Sequence, residues 1–428
     1  MRNNDPATPS PVDHEVESAA AHEGQLVSAP GVPQAPDAPV GEAPVSKADV
    51  RARSQMLTGR AARDLPTPAS LSPAQLTWRQ LRKNRVAVVG GVLLLALYAI
   101  AIFAPFIAPY NAQNKSPGGL TTRFHPPMKL RWREADGRWH WRPFVYATIE
   151  QRDEFRNLIY LPDPQRPLPL RFFVRGDDYK LFGLIPTNMH LFGVESGAFF
   201  PLGTDEPGRD YFSRLLIGSQ ISLSVGLIAI AITFSLGLLI GGISGFYGGR
   251  TDEIIMRLCE IIMSVPDFYL LMALAAALPA DMDPVTVYIL IIVILSFVGW
   301  AGMARIVRGM VLSVREREYV EAARALGVGD LKIIVRHILP ATFTYAIISA
   351  TMSVPGYILG ETGLSFLGLG IRDPMPSWGN MLSAALNLSV LANYRWILVP
   401  GVAIFLTTLA FNFLGDGLRD ALDPKSRR

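Results

Sequence analysis

Glu321-Ala322-Ala323-Arg324-Ala325-Leu326-Gly327, followed by Ile338-Leu339-Pro340, decides how this chain is read. The stretch is polar and amphipathic, and it lies between two long apolar runs. Runs that cross a membrane hold whatever joins them out on one side. A spanning helix pair that presents a short helical knob needs something to dock on that knob. The chain offers no engine of its own. No lysine is preceded by Gly and followed by Ser or Thr, so there is no phosphate-cradling Gly-x-x-x-x-Gly-Lys-[Ser/Thr] loop. Any motor must be another protein.

Composition supports the membrane reading. Of 428 residues, 50% are hydrophobic and only 18% charged, and the apolar residues are bunched into runs. The net charge of +4 with arginines flanking apolar runs gives no basic face for nucleic acid. Cys259 is the single cysteine, so no internal disulfide and no thiolate metal site is possible; it reads as a small core residue. No metal ligand set is expected elsewhere.

Residues 1–69 are rich in Ala, Pro, Ser, Glu and Asp and contain no apolar signal region, which predicts a disordered cytoplasmic tail. Order is expected from Ser72, where Ser72-Pro73-Ala74-Gln75 reads as a capping box opening an interfacial helix with Trp78, Arg79, Arg82, Lys83 and Arg85. This helix and the first span make up 70–108. Six spans are predicted: Val86 to Ala108, then one within Ile217 to Tyr247, one within Ile254 to Leu278 interrupted at Pro266, Val285 to Ala304, Ile338 to Gly360, and Trp396 to Leu414. Residues 217–416 form the main bundle and 417–428 a second cytoplasmic tail. Short basic connections lie at Arg250 to Arg257, Arg305 to Arg336 and Arg419 to Arg428, all on one face of a six-span chain, while Pro279 to Pro284 holds two aspartates and no base. The positive-inside rule therefore puts both termini and the 305–337 loop in the cytoplasm. The fold class is an all-α polytopic membrane protein with one exception. The connection 109–216 has clustered aromatics (Trp132, Trp139, Trp141, Phe144, Tyr146, Phe172, Phe173) and reads as a small extracytoplasmic β-rich insertion. It is a platform for a substrate-delivering protein, part of an outer gate, or a stabilising insertion.

Within the cytoplasmic loop, Arg315 to Leu326 should be helical, with Tyr319, Ala322, Ala323 and Leu326 on one face. Gly327 suits the left-handed conformation that ends a helix, and Asp330 suits a cap for the next. Small Ala322 and Ala323 permit close approach of a partner, with Glu321 at the edge.

This pattern resembles the EAA loop of bacterial ABC importer permeases. The wider phrase Trp300-x4-Arg305-x2-Arg308-Gly309-x8-Glu318-Tyr319-Val320-Glu321 through Gly327 resembles the dipeptide, oligopeptide and nickel branch. So do Leu202-Gly203-Thr204-Asp205-Glu206-Pro207-Gly208-Arg209-Asp210 with Ser213-Arg214, and Gly363-Leu364-Ser365-Phe366-Leu367-Gly368-Leu369-Gly370 with Pro376-Ser377-Trp378-Gly379-Asn380. The resemblance spans about Ser72 to Asp423. It implies a type I importer permease of the bacterial inner membrane, not an enzyme, translocating di- or oligopeptides. Implied partners are two ABC ATPases, a second homologous permease and an extracytoplasmic solute-binding protein. ATP and Mg would be bound by the ATPases and no cofactor by this chain. Glu321, Ala322, Ala323, Leu326, Gly327, Leu339 and Pro340 would make the contact with an ATPase. The runner-up keeps the fold and changes the cargo to nickel chelates, glutathione-like molecules or a peptide antibiotic; a membrane receptor is the reading from another class. His337, Phe200 and the long insertion depart from the family pattern.

In the outer motif Gly203, Thr204, Asp205, Gly208, Arg209 and Asp210 read as a turn and helix start, with Thr204 and Asp205 as caps and Arg209 pairing with Asp205 or Asp210. Its role is to tie the insertion to the second span or to contact the delivery protein. Asp267 follows Pro266 inside a span, where an unpaired acid costs roughly 2.5–3.5 kcal/mol. It satisfies amides freed by the proline or lines a pathway. Glu361 lines an outer gate or caps a turn. Met352 and Phe343 face the path or pack.

Overall fold

The computed structural model describes residues 73–422 except 120–121, 135, 153 and 155–157. The expected tail at 1–69, Ser72 of the capping box and residues 423–428 lie outside the described residues. Helix α1 spans Pro73–Leu81, and α2 spans Arg85–Ile102 with the Asn84 side chain accepting from the Ala87 amide at its N-cap. After α3 (Ala104–Ile107) the chain leaves the bundle and forms two small sheets. Strands β1 (Arg131–Arg133), β2 (Trp139–Arg152) and β3 (Leu158–Pro169) make an antiparallel meander with a bulge at Tyr146/Ala147. Strands β4 (Arg171–Leu181) and β5 (Ile185–Gly193) make a separate hairpin.

The bundle follows: α4 (Tyr211–Tyr247), α5 (Gly249–Met263), α6 (Asp267–Ala276), α7 (Pro284–Val314), α8 (Glu318–Ala325), α9 (Asp330–Ile333), α10 (Leu339–Phe366), α11 (Trp378–Leu382), α12 (Leu388–Asn393) and α13 (Val399–Leu422). Among the described residues five helical stretches are long and apolar enough to cross a membrane: Arg85–Ile102, Tyr211–Tyr247, Pro284–Val314, Asp330–Phe366 and Arg395–Leu422. The pair α5 and α6 passes the same test only together and is bent by 79° at the break before Asp267. The expected interruption at Pro266 is thus a sharp turn and not a kink, because proline removes an amide donor and its ring crowds the preceding turn.

Two expected boundaries move. The fourth span continues as helix to Val314, well past Ala304, and the fifth is continuous helix from Asp330. The latter contains one π turn, Ile334–Ile338, immediately before Pro340. A wider turn there relieves the clash between the proline ring and the carbonyl four residues earlier.

The long helices approach closely where side chains are smallest. A Cβ on Gly237 would lie 2.3 Å from Met303 Cγ, one on Gly241 2.4 Å from the Ala304 carbonyl oxygen, and one on Gly245 2.8 Å from Val311 Cβ. Four-residue spacing puts all three on one stripe of α4 facing α7. The same device joins α2 to α13, where a Cβ on Gly90 would lie 2.7 Å from the Ala410 carbonyl oxygen. The β4–β5 hairpin is tied to the bundle by aromatic contacts, including Phe192 of β5 against Phe212 of α4 at 5.9 Å.

Gly241→Leu should therefore lower the thermal midpoint of the purified protein, at a cost of about 1–3 kcal/mol or more for overpacking. Gly302→Leu, where an added Cβ meets nothing within 4 Å, should leave it nearly unchanged.

Candidate coupling loop, outer latch and buried polar residues

Helix α8 begins after Arg317 and is shorter than the expected Arg315 to Leu326, because Arg315 closes α7. It ends in a complete Schellman turn. The Val328 amide donates to the Ala323 carbonyl at 3.1 Å, the Gly327 amide donates to Arg324 at 3.0 Å, and Gly327 has φ +75°. A Cβ on Gly327 would touch nothing within 4 Å, so backbone conformation and not space calls for glycine. Asp330 does not cap the next helix; Gly329 holds that position and Asp330 is the first residue inside, where its charge suits the helix dipole.

The expected face of α8 is corrected. Val320 and Ala323, three residues apart, are buried against Val314, Ile333 and Ile334 in the main core. Ala323 therefore faces its own bundle and not a partner. Tyr319, Glu321, Ala322 and Leu326 are exposed, Leu326 at 83%. Leu339 is buried in the same core, and Pro340 is exposed. The Arg324 guanidinium lies 5.2 Å from the Phe246 ring centroid, and Arg315 donates to the Gly245 carbonyl at 3.1 Å. Both contacts join the loop to the end of α4. A further clamp was not foreseen from sequence. Arg308 Nε donates to Asp252 Oδ1 at 2.8 Å, and Ser244 Oγ donates to the same carboxylate. An acid near the start of one helix and a base near the end of another were the only signal for it.

At the opposite end the outer motif closes on itself. Asp205 accepts from the Arg209 amide at 2.8 Å and from Arg209 Nε at 2.7 Å, and lies 3.4 Å from Arg214 Nε. Asp373, in the loop after α10, accepts from Arg209 Nη1 at 3.1 Å and Arg214 Nη2 at 2.9 Å. Two nearly fully buried guanidinium groups thus share two carboxylates. Burial works to raise the Asp373 carboxyl, but Arg209 and Arg214 hold it below its ordinary value. Asp210, not Thr204 or Asp205, caps α4, accepting from the Ser213 amide at 2.7 Å and the Ser213 hydroxyl at 2.6 Å. Burial raises the Asp210 carboxyl from 3.8 to about 7. Thr204 instead donates to the Thr122 carbonyl and accepts from the His125 amide, both at 2.7 Å. Gly203 (φ +79°) lets this turn press against His125, whose carbonyl oxygen a Cβ would meet at 2.4 Å. Gly208 (φ +91°) completes the turn, its amide donating to the Asp205 carbonyl. Burial lowers His125 to about 4, so the neutral ring donates from Nδ1 to the Pro126 carbonyl and accepts at Nε2 from Thr148.

The candidate pathway residues are not brought together. Glu361 is fully buried. Ser365 Oγ donates to it at 2.7 Å and Ser222 Oγ at 3.3 Å, while these hydroxyls accept from the Ile371 and Trp378 amides. A buried carboxyl needs such donors, and here they knit α4, α10 and the following loop together. Asp267 opens α6 without capping it and is exposed; the amides after Pro266 bond to the Pro266 carbonyl instead. Met352 is partly exposed and its side chain packs over Gly415. The Phe343 ring stacks with Phe234 at 6.2 Å.

Residues 237–428 match the family described as the binding-protein-dependent transport system inner membrane component, and residues 72–127 match the N-terminal transmembrane domain of oligopeptide transport permease C. The dipeptide transport system permease protein DppC of Bacillus subtilis is 35% identical over 84% of this chain and 88% of its own length. The glutathione transport system permease protein GsiD is 33% identical in Pectobacterium atrosepticum (83% of this chain, 92% of that protein) and 34% in Escherichia coli (81% and 89%). The chain belongs to the binding-protein-dependent ABC permease family. This permease is therefore a multi-pass membrane subunit of a transport system and not an enzyme; ATP hydrolysis belongs to separate ATPase subunits.

Replacing Asp205 by Asn leaves two buried guanidinium groups on one partly exposed carboxylate and should destabilise the permease by on the order of 3 kcal/mol. Glu206→Gln, in an exposed pair with Arg123, should change the melting midpoint little. Because the folded-state pKa of Asp210 lies above its unfolded value, the fold favours the neutral form, and stability should fall as pH rises from about 4 to about 7 and then level off. Asp210→Asn should remove that share of the pH dependence of the melting curve.

Proposed function

We propose that this permease carries short peptides across the membrane, with force entering through α8. The exposed outer face of α8, held rigid by the Schellman turn, is the observation that carries the reading. Tyr319, Ala322 and Leu326 offer apolar contact, Glu321 a charge at the rim, and Gly327 the bend that holds the helix out. Ala323 and Leu339 support the loop from behind, and exposed Pro340 joins the contact. One of two ATPases grips this surface from the cytoplasm, and ATP acts by favouring one arrangement of a bistable bundle. ATP and Mg bind those subunits, and this chain needs no cofactor. The bundle pairs with a second, homologous permease, and an extracytoplasmic binding protein delivers cargo to the face that carries the sheets. Six crossings, with α5 and α6 as one broken span, leave both termini in the cytoplasm. The coupling segment is 305–337 and the extracytoplasmic insertion 109–216.

Peptide cargo is supported by relatives named for dipeptide and glutathione transport. Glutathione-sized peptides are a second reading supported by the same names.

Glu321→Lys and Gly327→Leu should each leave membrane insertion intact. Each should cut peptide uptake by the reconstituted complex at least about tenfold, since losing ~1.4 kcal/mol of docking free energy is tenfold in affinity. A bulky residue at Gly327 pays a left-handed penalty of about 1–2 kcal/mol. Unchanged uptake in both would overturn the coupling role. Leu326→Cys should react with an impermeant maleimide in inside-out vesicles only; reaction in intact cells would reverse the orientation.

A further inference from the structure

The β4–β5 hairpin ends in an uncharged run, Leu181-Phe182-Gly183-Leu184-Ile185-Pro186. Its apolar side chains are turned outward: Leu184 is 82% exposed, and Phe182 and Ile185 are each more than half exposed. Soluble loop tips are polar, and an exposed apolar cluster marks a contact. Phe182 also sits in the left-handed region at φ +54°, where Gly or Asn is the favoured occupant. A ring held there at a conformational cost points to a requirement for the ring itself.

The position of the tip identifies its occupant. The middle of the hairpin is fixed to the chain just beyond α3: His190 Nδ1 donates to the Ala108 carbonyl, and Asp177 accepts from the Asn111 amide at 2.8 Å. From there the tip turns back toward the end of α2, where the Phe182 and Phe103 rings meet edge to face at 5.7 Å. Helix α2 has 18 residues, a length of about 27 Å. With Arg82, Lys83 and Arg85 at its other end, Phe103 falls at the far boundary of a hydrocarbon layer of about 30 Å. The outward stripe of α2 is Val89, Val92, Leu95, Ile100, Ile102 and Phe103, all exposed. These are large aliphatic and aromatic groups of the kind that face lipid, whereas the small Gly90 faces α13. The hairpin tip extends this apolar surface.

We propose that the β4–β5 tip inserts into the outer hydrocarbon boundary of the bilayer beside α2, with Phe182, Leu184 and Ile185 among lipid acyl chains. The backbone is suited to that setting. Leu181 pairs with Ile185 across the strands, and the turn amides of Gly183 and Leu184 donate to the carbonyls of Lys180 and Leu181. Lys180, exposed just above the tip, can lay its stem along the apolar surface and raise its amine to the headgroups. The insertion then has two fixed points, the charge latch at its end and a lipid anchor at its tip. The inference rests on α2 crossing the membrane and is independent of cargo and coupling.

The test uses the full chain with its partner subunits, carrying Leu184→Cys in a Cys259→Ala background, labelled with an environment-sensitive nitrobenzoxadiazole dye in phosphatidylcholine nanodiscs. The expected result is blue-shifted emission, lost when the lipid carries nitroxide on its acyl chains and resistant to aqueous iodide. The same dye at Gln165→Cys, on the exposed part of β3, should be iodide-sensitive and indifferent to nitroxide lipid. Quenching at residue 184 by iodide alone would place the tip in water. Protection from both quenchers would place it against protein, either a second permease or the binding protein. Either outcome overturns the proposal. Ile185→Cys repeats the measurement should Leu184→Cys perturb the hairpin.

Discussion

The contact between α4 and α7 sets the geometry of the whole bundle. Gly237, Gly241 and Gly245 let the two helices approach to a distance that any side chain would block. In a bilayer, helices gain little from hydrophobic burial against one another, so close van der Waals packing has to supply the association. Helix α4 has 37 residues and is therefore about 55 Å long. One end holds the cap Asp210 and Arg214 of the charge latch, and the other holds Gly245 and Phe246, which meet Arg315 and Arg324. One strut, locked along its length to α7, thus connects the charge latch to the α8 loop.

Polar groups within this bundle are handled in two ways. Arg209 and Arg214 are buried but share Asp205 and Asp373, and Glu361 is buried but receives two serine hydroxyls. Each is a closed arrangement in which removal of one member strands the rest. Asp267 is treated differently. It is exposed at the break between α5 and α6, inside an apolar stretch, and caps nothing. An acid so placed is tolerated only against water or a partner. That is consistent with the proposed pairing with a second permease, and it separates Asp267 from the enclosed Glu361.

Much of this was legible in the residues. Long apolar runs gave the bundle, Pro266 gave the break, and Gly327 gave the end of α8, because each rests on a local rule of backbone or solvent. The β character of the 109–216 connection was legible from its clustered aromatics, though not the strand bounds or their division into a meander and a hairpin. What escaped reading depended on partners distant in sequence. Asp373 lies 164 residues from Arg209, and Asp252 lies 56 from Arg308, so no spacing rule links them. Thr204 resembled a cap and instead bridges Thr122 and His125, a choice made by tertiary contact. For Glu361 only the position near a helix end was visible, which suited a gate or a turn cap; the serines that enclose it are Ser222 on another helix and Ser365 on the next turn of its own.

Helix α8 has two faces, and this bears on how the loop motif should be understood. Of its small residues, Ala322 points outward while Ala323 points into a core with Val320, Ile333, Ile334 and Leu339. A residue larger than alanine at 323 would push α8 off its bundle even if it left the outer surface unchanged. Half of the motif therefore builds the surface and half fastens it to α4, α7 and α10. The fastening is what makes a docked surface mechanically useful. In the proposed reading, a partner that displaces Leu326 must also displace Ala323, and through it the π turn at Ile334–Ile338 and the base of α10. Without that inner face a bound partner would move only a loop.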